Sequence, residues 1–175
     1  AGRMLVLDDS AILGFGYTPE FYGTSTRHRY HLFAFDRRTL PPQPPADYAR
    51  ANRDYPAGGG GKLRVQPQWS RECPLLARAM LLAGDTLFLA GPPTGIAEPP
   101  PTGNGGSGGL LSAVSAGDGQ TRAEYRLDAQ PVFDSLAAAQ GRLYLTLQDG
   151  RLLCLSDRRA TPGGTDLPRV PISGR

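Results

Sequence analysis

Lysine, tryptophan, histidine, methionine and cysteine are all scarce in this chain of 175 residues: one lysine (Lys62), one tryptophan (Trp69), and two each of the others. The basic side chains are otherwise arginine. Arginine favours phosphate and carboxylate recognition, but here the arginines are scattered, form no stripe and do not interleave with aromatics. The net charge is only +3, so nucleic-acid binding has no support. Together with abundant alanine, glycine and proline, the bias is the composition a GC-rich genome gives. No stretch approaches the ~18 apolar residues of a membrane-spanning helix. No secretory leader is visible, but the chain begins AGRMLVLDD, without an initiator Met and already in a strand-like pattern. It therefore reads as a fragment whose natural N-terminus lies elsewhere.

The two cysteines, Cys73 and Cys154, lie 81 positions apart. They allow at most one disulfide, yet each sits in an apolar, strand-like context, and two buried free thiols are expected. The two histidines, His28 and His31, fall on opposite faces of any strand that carries both. That spacing argues against joint metal ligation and for solvated residues entering a strand.

Glycine (23) and proline (17) are plentiful, and their excess is concentrated in three stretches, about 17–28, 41–62 and 93–108. The rest reads as an ordered β body with soft inserts. In RLYLTLQDGRLLCLS (142–156), Leu143, Leu145 and Leu147 alternate with Tyr144 and Thr146, the period of a strand. Asp149-Gly150 is expected to form a two-residue type I′ turn. The return run Leu152-Leu153-Cys154-Leu155 is apolar on both faces and predicts a strand covered on both sides. Antiparallel strands are expected near 4–7, 11–15, 31–36, 63–69, 78–83, 86–90, 110–115, 122–127, 135–139, 142–147 and 151–156, with almost no helix.

Once the inserts are set aside, three segments share one pattern of strand, tight turn, apolar strand and third strand. The third strands end Ala34-Phe35-Asp36, Ala113-Val114-Ser115 and Cys154-Leu155-Ser156, and the turns fall at Asp8-Asp9, Gly84-Asp85 and Gln140-Gly141. Trp69 and Tyr125 are 56 positions apart, or 40 without the 16-residue insert 93–108. Ile12 and Leu87 are 75 apart, or 41 without 17–28 and 41–62. A period of about 40–45 residues with four short strands marks a β-propeller blade; a β-sandwich with irregular loops does not require the two spacings to agree. The expected fold is all-β, a partial propeller of about three four-stranded antiparallel blades over 1–158, with 159–175 as a tail. Closed propellers need at least about four blades, which again suggests a fragment.

LLSAVSAGDGQTRAEYRLD resembles the repeat of pyrroloquinoline-quinone-like propellers, roughly Ala-x-Asp-x-x-x-Gly-x-x-x-x-Trp. Ala113 matches the alanine, Gly119 the turn glycine and Tyr125 the aromatic, while Ser115 replaces the aspartate. LFAFDRRT matches at Ala34 and Asp36 but lacks the glycine. LARAMLLAGDTLFLAGPP and DAQPVFDSLAAAQGRLYLTLQDGRLLCL look like bacterial, planctomycete-type proteins with the same repeat. The resemblance implies an exported propeller, often without an established reaction. It also raises a quinone-dependent dehydrogenase, with the cofactor over a tryptophan floor beside Ca²⁺. Here the sole tryptophan, Trp69, stands where the repeat packs between blades, there is no Cys-Cys pair, and no Glu/Asn/Asp set for Ca²⁺ is clustered.

The remaining motifs are weaker. Gly103–Gly108 formally matches a dinucleotide fingerprint, but Pro99-Pro100-Pro101 precedes it and a strand follows, not a helix. Gly58–Gly61 before Lys62 is no phosphate loop, since Leu63 stands where Ser or Thr would hold Mg²⁺. Asp8-Asp9 suits a turn. Asp134, in PVFDS, lies between apolar strand segments and is read as a structural hydrogen-bonding residue. PPQPPADYARANRDYP (41–56) is read as an inter-blade loop, not a polyproline ligand. No Ser-His-Asp set can be assembled. The sequence thus assigns no catalytic, cofactor-binding or metal-ligating residue. Its leading function is a non-catalytic scaffold or interaction module, with protein or other domains of the same polypeptide as partners. A quinoprotein oxidoreductase or its degenerate relative is the alternative, and carbohydrate binding or processing a weaker one.

Overall fold

The computed structural model describes residues 2–17, 30–39, 67–94 and 108–156. Eleven strands fill most of them: β1 (Gly2–Leu7), β2 (Ala11–Tyr17), β3 (Tyr30–Asp36), β4 (Trp69–Glu72), β5 (Ala79–Ala83), β6 (Thr86–Gly91), β7 (Gly109–Ser115), β8 (Thr121–Leu127), β9 (Pro131–Ala139), β10 (Arg142–Leu147) and β11 (Leu152–Ser156). The only helical turn among the described residues is a 3₁₀ turn, Arg37–Thr39. The fold is all-β. The strands form three open antiparallel sheets, each a meander in chain order: β1-β2-β3-β4, β5-β6-β7-β8 and β9-β10-β11. The inserts and the tail fall almost wholly outside the described residues, as do His28, Lys62 and the Gly58–Gly61 run.

Ten of the eleven strands lie where the periodicity puts them. The exception is the strand expected at 63–69, of which 63–66 lie outside the described residues. Pro67 has no N–H to give a ladder, so the strand starts only at Trp69, pairs Trp69 to Glu72 with Ala34 to His31, and stops before Pro74. Trp69 therefore belongs to the fourth strand of the first sheet.

The core lies between layers. Leu13, Phe15, Leu32 and Ala34 on one face of the first sheet, with Met4, Val6 and Trp69, pack against Met80, Leu87, Leu89 and Val114 of the second. The opposite face of the second sheet, with Leu81, Phe88, Ala90, Leu111 and Tyr125, packs against Leu143, Leu145, Leu147, Leu153 and Leu155 of the third. Each fully buried leucine here contributes roughly 1.5–3 kcal/mol through removal from water. The middle sheet, covered on both sides, carries the run apolar on both faces. The hairpin's return strand does not. β11 is an edge strand in which Leu153 and Leu155 turn inward while Leu152 and Cys154 are exposed.

The turns follow local chemistry with one correction. Gln140 and Gly141 both take positive φ (51° and 69°) between the paired Ala139 and Arg142, as a type I′ turn requires. At 148–150 only Gly150 does so (φ 89°). Gly150 N–H donates to Leu147 O and Leu147 N–H to Arg151 O, giving a three-residue loop that ends in a glycine bulge. Asp149 stays out of the left-handed region because its carboxylate accepts from the Arg151 backbone and guanidinium.

Candidate functional site

Two places combine unusual backbone with defined side-chain chemistry: the junction of the first two sheets around Trp69, and a bulge in β9.

At the junction, β4 carries Trp69 over the turn between β7 and β8. The indole lies against Gly119, close enough that a Cβ there would meet its ring at 2.5 Å. Its Nε1–H donates to Ala116 O at 2.9 Å, and two residues along Arg71 Nε donates to Asp118 O at 3.1 Å. Gly119 fits because it is buried, at φ 72°, with no side chain of its own. Around the turn, Arg122 makes a bidentate pair with Asp85 at 2.7 and 2.8 Å and also reaches Thr86. Arg122, then Thr86, hold the Asp85 carboxyl down to about 2. The Gln120 backbone N–H and the Ser115 hydroxyl lower that of Asp118. These carboxylates are exposed, so they order turns more than they stabilise the fold.

Between the first two sheets lies a cavity of about 50 Å³ lined by Leu32, Cys73, Leu75, Leu89, Ser112 and Val114, among others. That is room for a water or two, far below the ~300–1,000 Å³ of small-molecule sites. Cys73 is buried at its edge, its Sγ–H donating to Leu75 O at 3.3 Å. Burial pushes the thiol up to about 11, away from reactivity. Both cysteines are free, and Cys154 is exposed, which corrects the expectation of two buried thiols. It sits on the uncovered face of an edge strand, where an apolar neighbourhood in sequence does not mean burial.

In β9 the register with β10 jumps from Leu136–Leu145 to Pro131–Leu147, so residues 132–135 oppose Thr146 alone. Asp134 takes φ 58°. Its backbone N–H donates to Arg78 O at 2.9 Å, tying the bulge to the residue before β5. Ser135 Oγ donates to Val132 O at 2.7 Å and lies 3.1 Å from Thr146 O. The bulge thus holds Phe133 out to solvent, 67% exposed, beside Val132. Bulges re-aim side chains in this way. The hydrogen bond at Asp134 is made by its backbone, and its carboxylate faces solvent. Phe133 was not distinguished in the sequence; the only signal is the broken alternation of PVFDSLAAA.

The other flagged residues are dispersed. His31 is half-buried on β3, and its Nδ1 lies 3.4 Å from Ser70 Oγ, long for such a bond. Asp8 caps its own turn, accepting from the Ser10 and Ala11 backbone, which lowers its pKa. Asp9 pairs loosely with Arg37 at 4.0 Å. Among the described residues no three His, Cys, Asp or Glu side chains gather as metal ligands. None of their helices is long and apolar enough to cross a membrane. No family model matches the chain, and no curated protein matches it.

Proposed function

We propose that the chain is a non-catalytic interaction module, a set of stacked blades from a larger quinoprotein-like β-propeller protein that is exported. Its bulge and inserts dock another protein or another domain of the same polypeptide. Successive antiparallel meanders with β5 lying against both β1 and β9 support the blade reading. The observation that carries the non-catalytic reading is the state of Trp69. Its indole lies against Gly119 and its N–H donates to Ala116 O, which favours a packing role over that of a cofactor floor. Phe133, exposed on a bulge held by the Asp134 N–H to Arg78 O bond and the Ser135 hydroxyl, has the rigidity and aromatic surface of an interface anchor.

Pyrroloquinoline quinone with Ca²⁺ separates this reading from the quinoprotein one. A ligand at about 100 times its dissociation constant adds about 2.7 kcal/mol to native stability, a shift of several degrees in Tm for a domain near this size. No shift is expected. A saturable shift abolished by Trp69→Ala would replace the scaffold reading with a quinoprotein.

A further inference from the structure

Ser112, in the third strand of the second sheet, is a polar side chain buried to 3% exposure. It faces the first sheet: Leu110 and Val114, two residues to either side, pack toward that sheet, and Ser112 lines the cavity between the two. Its hydroxyl has no hydrogen-bond partner among the described residues. A hydroxyl taken out of water without a partner is costly, and native interiors rarely leave one so.

The position itself does not call for a hydroxyl. With Leu87–Val114 of the second sheet aligned on Leu143–Leu155 of the third, the pair Leu89–Ser112 corresponds to Leu145–Leu153. Leu153 packs into the core between the second and third sheets, so that junction closes on an apolar side chain. Between the first two sheets a hydroxyl and a space stand in its place.

The space, about 50 Å³, exceeds the ~10–15 Å³ that a water needs and is far too small for an organic ligand. Water fits that size and both donates and accepts. Further polar atoms belong to the lining. Thr121, opposite Val114 in the ladder, carries a second hydroxyl, and the Cys73 sulfur, whose proton goes to Leu75 O, is left as a weak acceptor. Leu32, Leu75, Leu89 and Val114 supply apolar walls.

We infer that this cavity is a hydration site, in which an ordered water or two, hydrogen-bonded to the Ser112 hydroxyl, form part of the junction between the first two sheets. Neither the blade reading nor the docking role is needed for it, only the contact of the two sheets.

Ser112→Ala tests it by the sign of its effect. If the hydroxyl binds water, its removal takes a hydrogen bond from the folded chain and raises the unfolding equilibrium constant about 2–10-fold, read by urea unfolding. If the hydroxyl is unpartnered, its removal relieves a cost and the chain unfolds less readily. The first result is expected; an unchanged or smaller unfolding constant would overturn the hydration site. Oxygen-17 magnetic relaxation dispersion counts long-lived internal waters directly and does not respond to hydroxyl protons. The wild-type chain should show more of them than Ser112→Val, whose methyl groups replace the hydroxyl and fill the space beside it. Equal counts in the two would also refute the site.

Discussion

Replacing Gly119 by alanine tests the junction that joins the first two sheets. Two costs are expected. At φ 72° an L-residue pays about 1–2 kcal/mol in backbone strain. In addition, the new Cβ would lie 2.5 Å from Cε3 of Trp69 and 2.8 Å from Cζ3, so the indole must move. Moving it breaks the Nε1–Ala116 bond, about 1 kcal/mol, and overpacks the layer by a further ~1–3 kcal/mol. The total is about 3–6 kcal/mol. Gly84→Ala is the control: Gly84 has φ 59° but open space around it, so it carries the backbone cost alone, about 1–2 kcal/mol. The effect of alanine on the unfolded chain is common to both and cancels. Urea unfolding followed by circular dichroism gives the two losses, and Trp69 emission reports whether the indole has left its seat. If Gly119→Ala costs no more than Gly84→Ala, or leaves the emission unchanged, Trp69 does not join the sheets as described.

Thiol titration should find one fast-reacting sulfhydryl, Cys154, in the native chain and two after unfolding, because Cys73 is buried with its pKa at about 11; two fast thiols would contradict the junction. Leu145→Ala, at a fully buried site between the second and third sheets, should cost about 2–5 kcal/mol in urea unfolding. Leu152→Ala on the exposed face should stay within about 0.5 kcal/mol. For Asp85 the folded pKa is depressed from 3.8 to about 2 by Arg122. Its contribution is therefore present above about pH 4 and lost as pH falls through about 2. Asp85→Asn should flatten that part of the Tm-against-pH profile and leave the region above pH 5 unchanged.

The strands were legible in the sequence because alternation and turn residues are local. Leu143, Leu145 and Leu147 declare one face of a strand whatever lies against it, and Gln140-Gly141 declares its turn. The boundary of β4 was not legible, since Pro67 decides it while the pattern before it reads as strand. Burial was legible only by half. The run Leu152–Leu155 has the composition of a strand covered on both sides, but its place at the edge of the last described sheet leaves Leu152 and Cys154 in water. Phe133 was hidden for a related reason: a bulge changes which way a residue points without changing its composition.

By itself the sequence determined the class of structure and the positions of most of the described strands, because these depend on residue spacing along the chain. Only the tertiary structure decided which sheet Trp69 belongs to, what its indole touches, which thiol is shielded and which apolar side chains of the described strands are exposed. Those depend on contacts between residues such as Trp69 and Gly119, 50 positions apart, whose meeting is set by how one sheet stacks on the next.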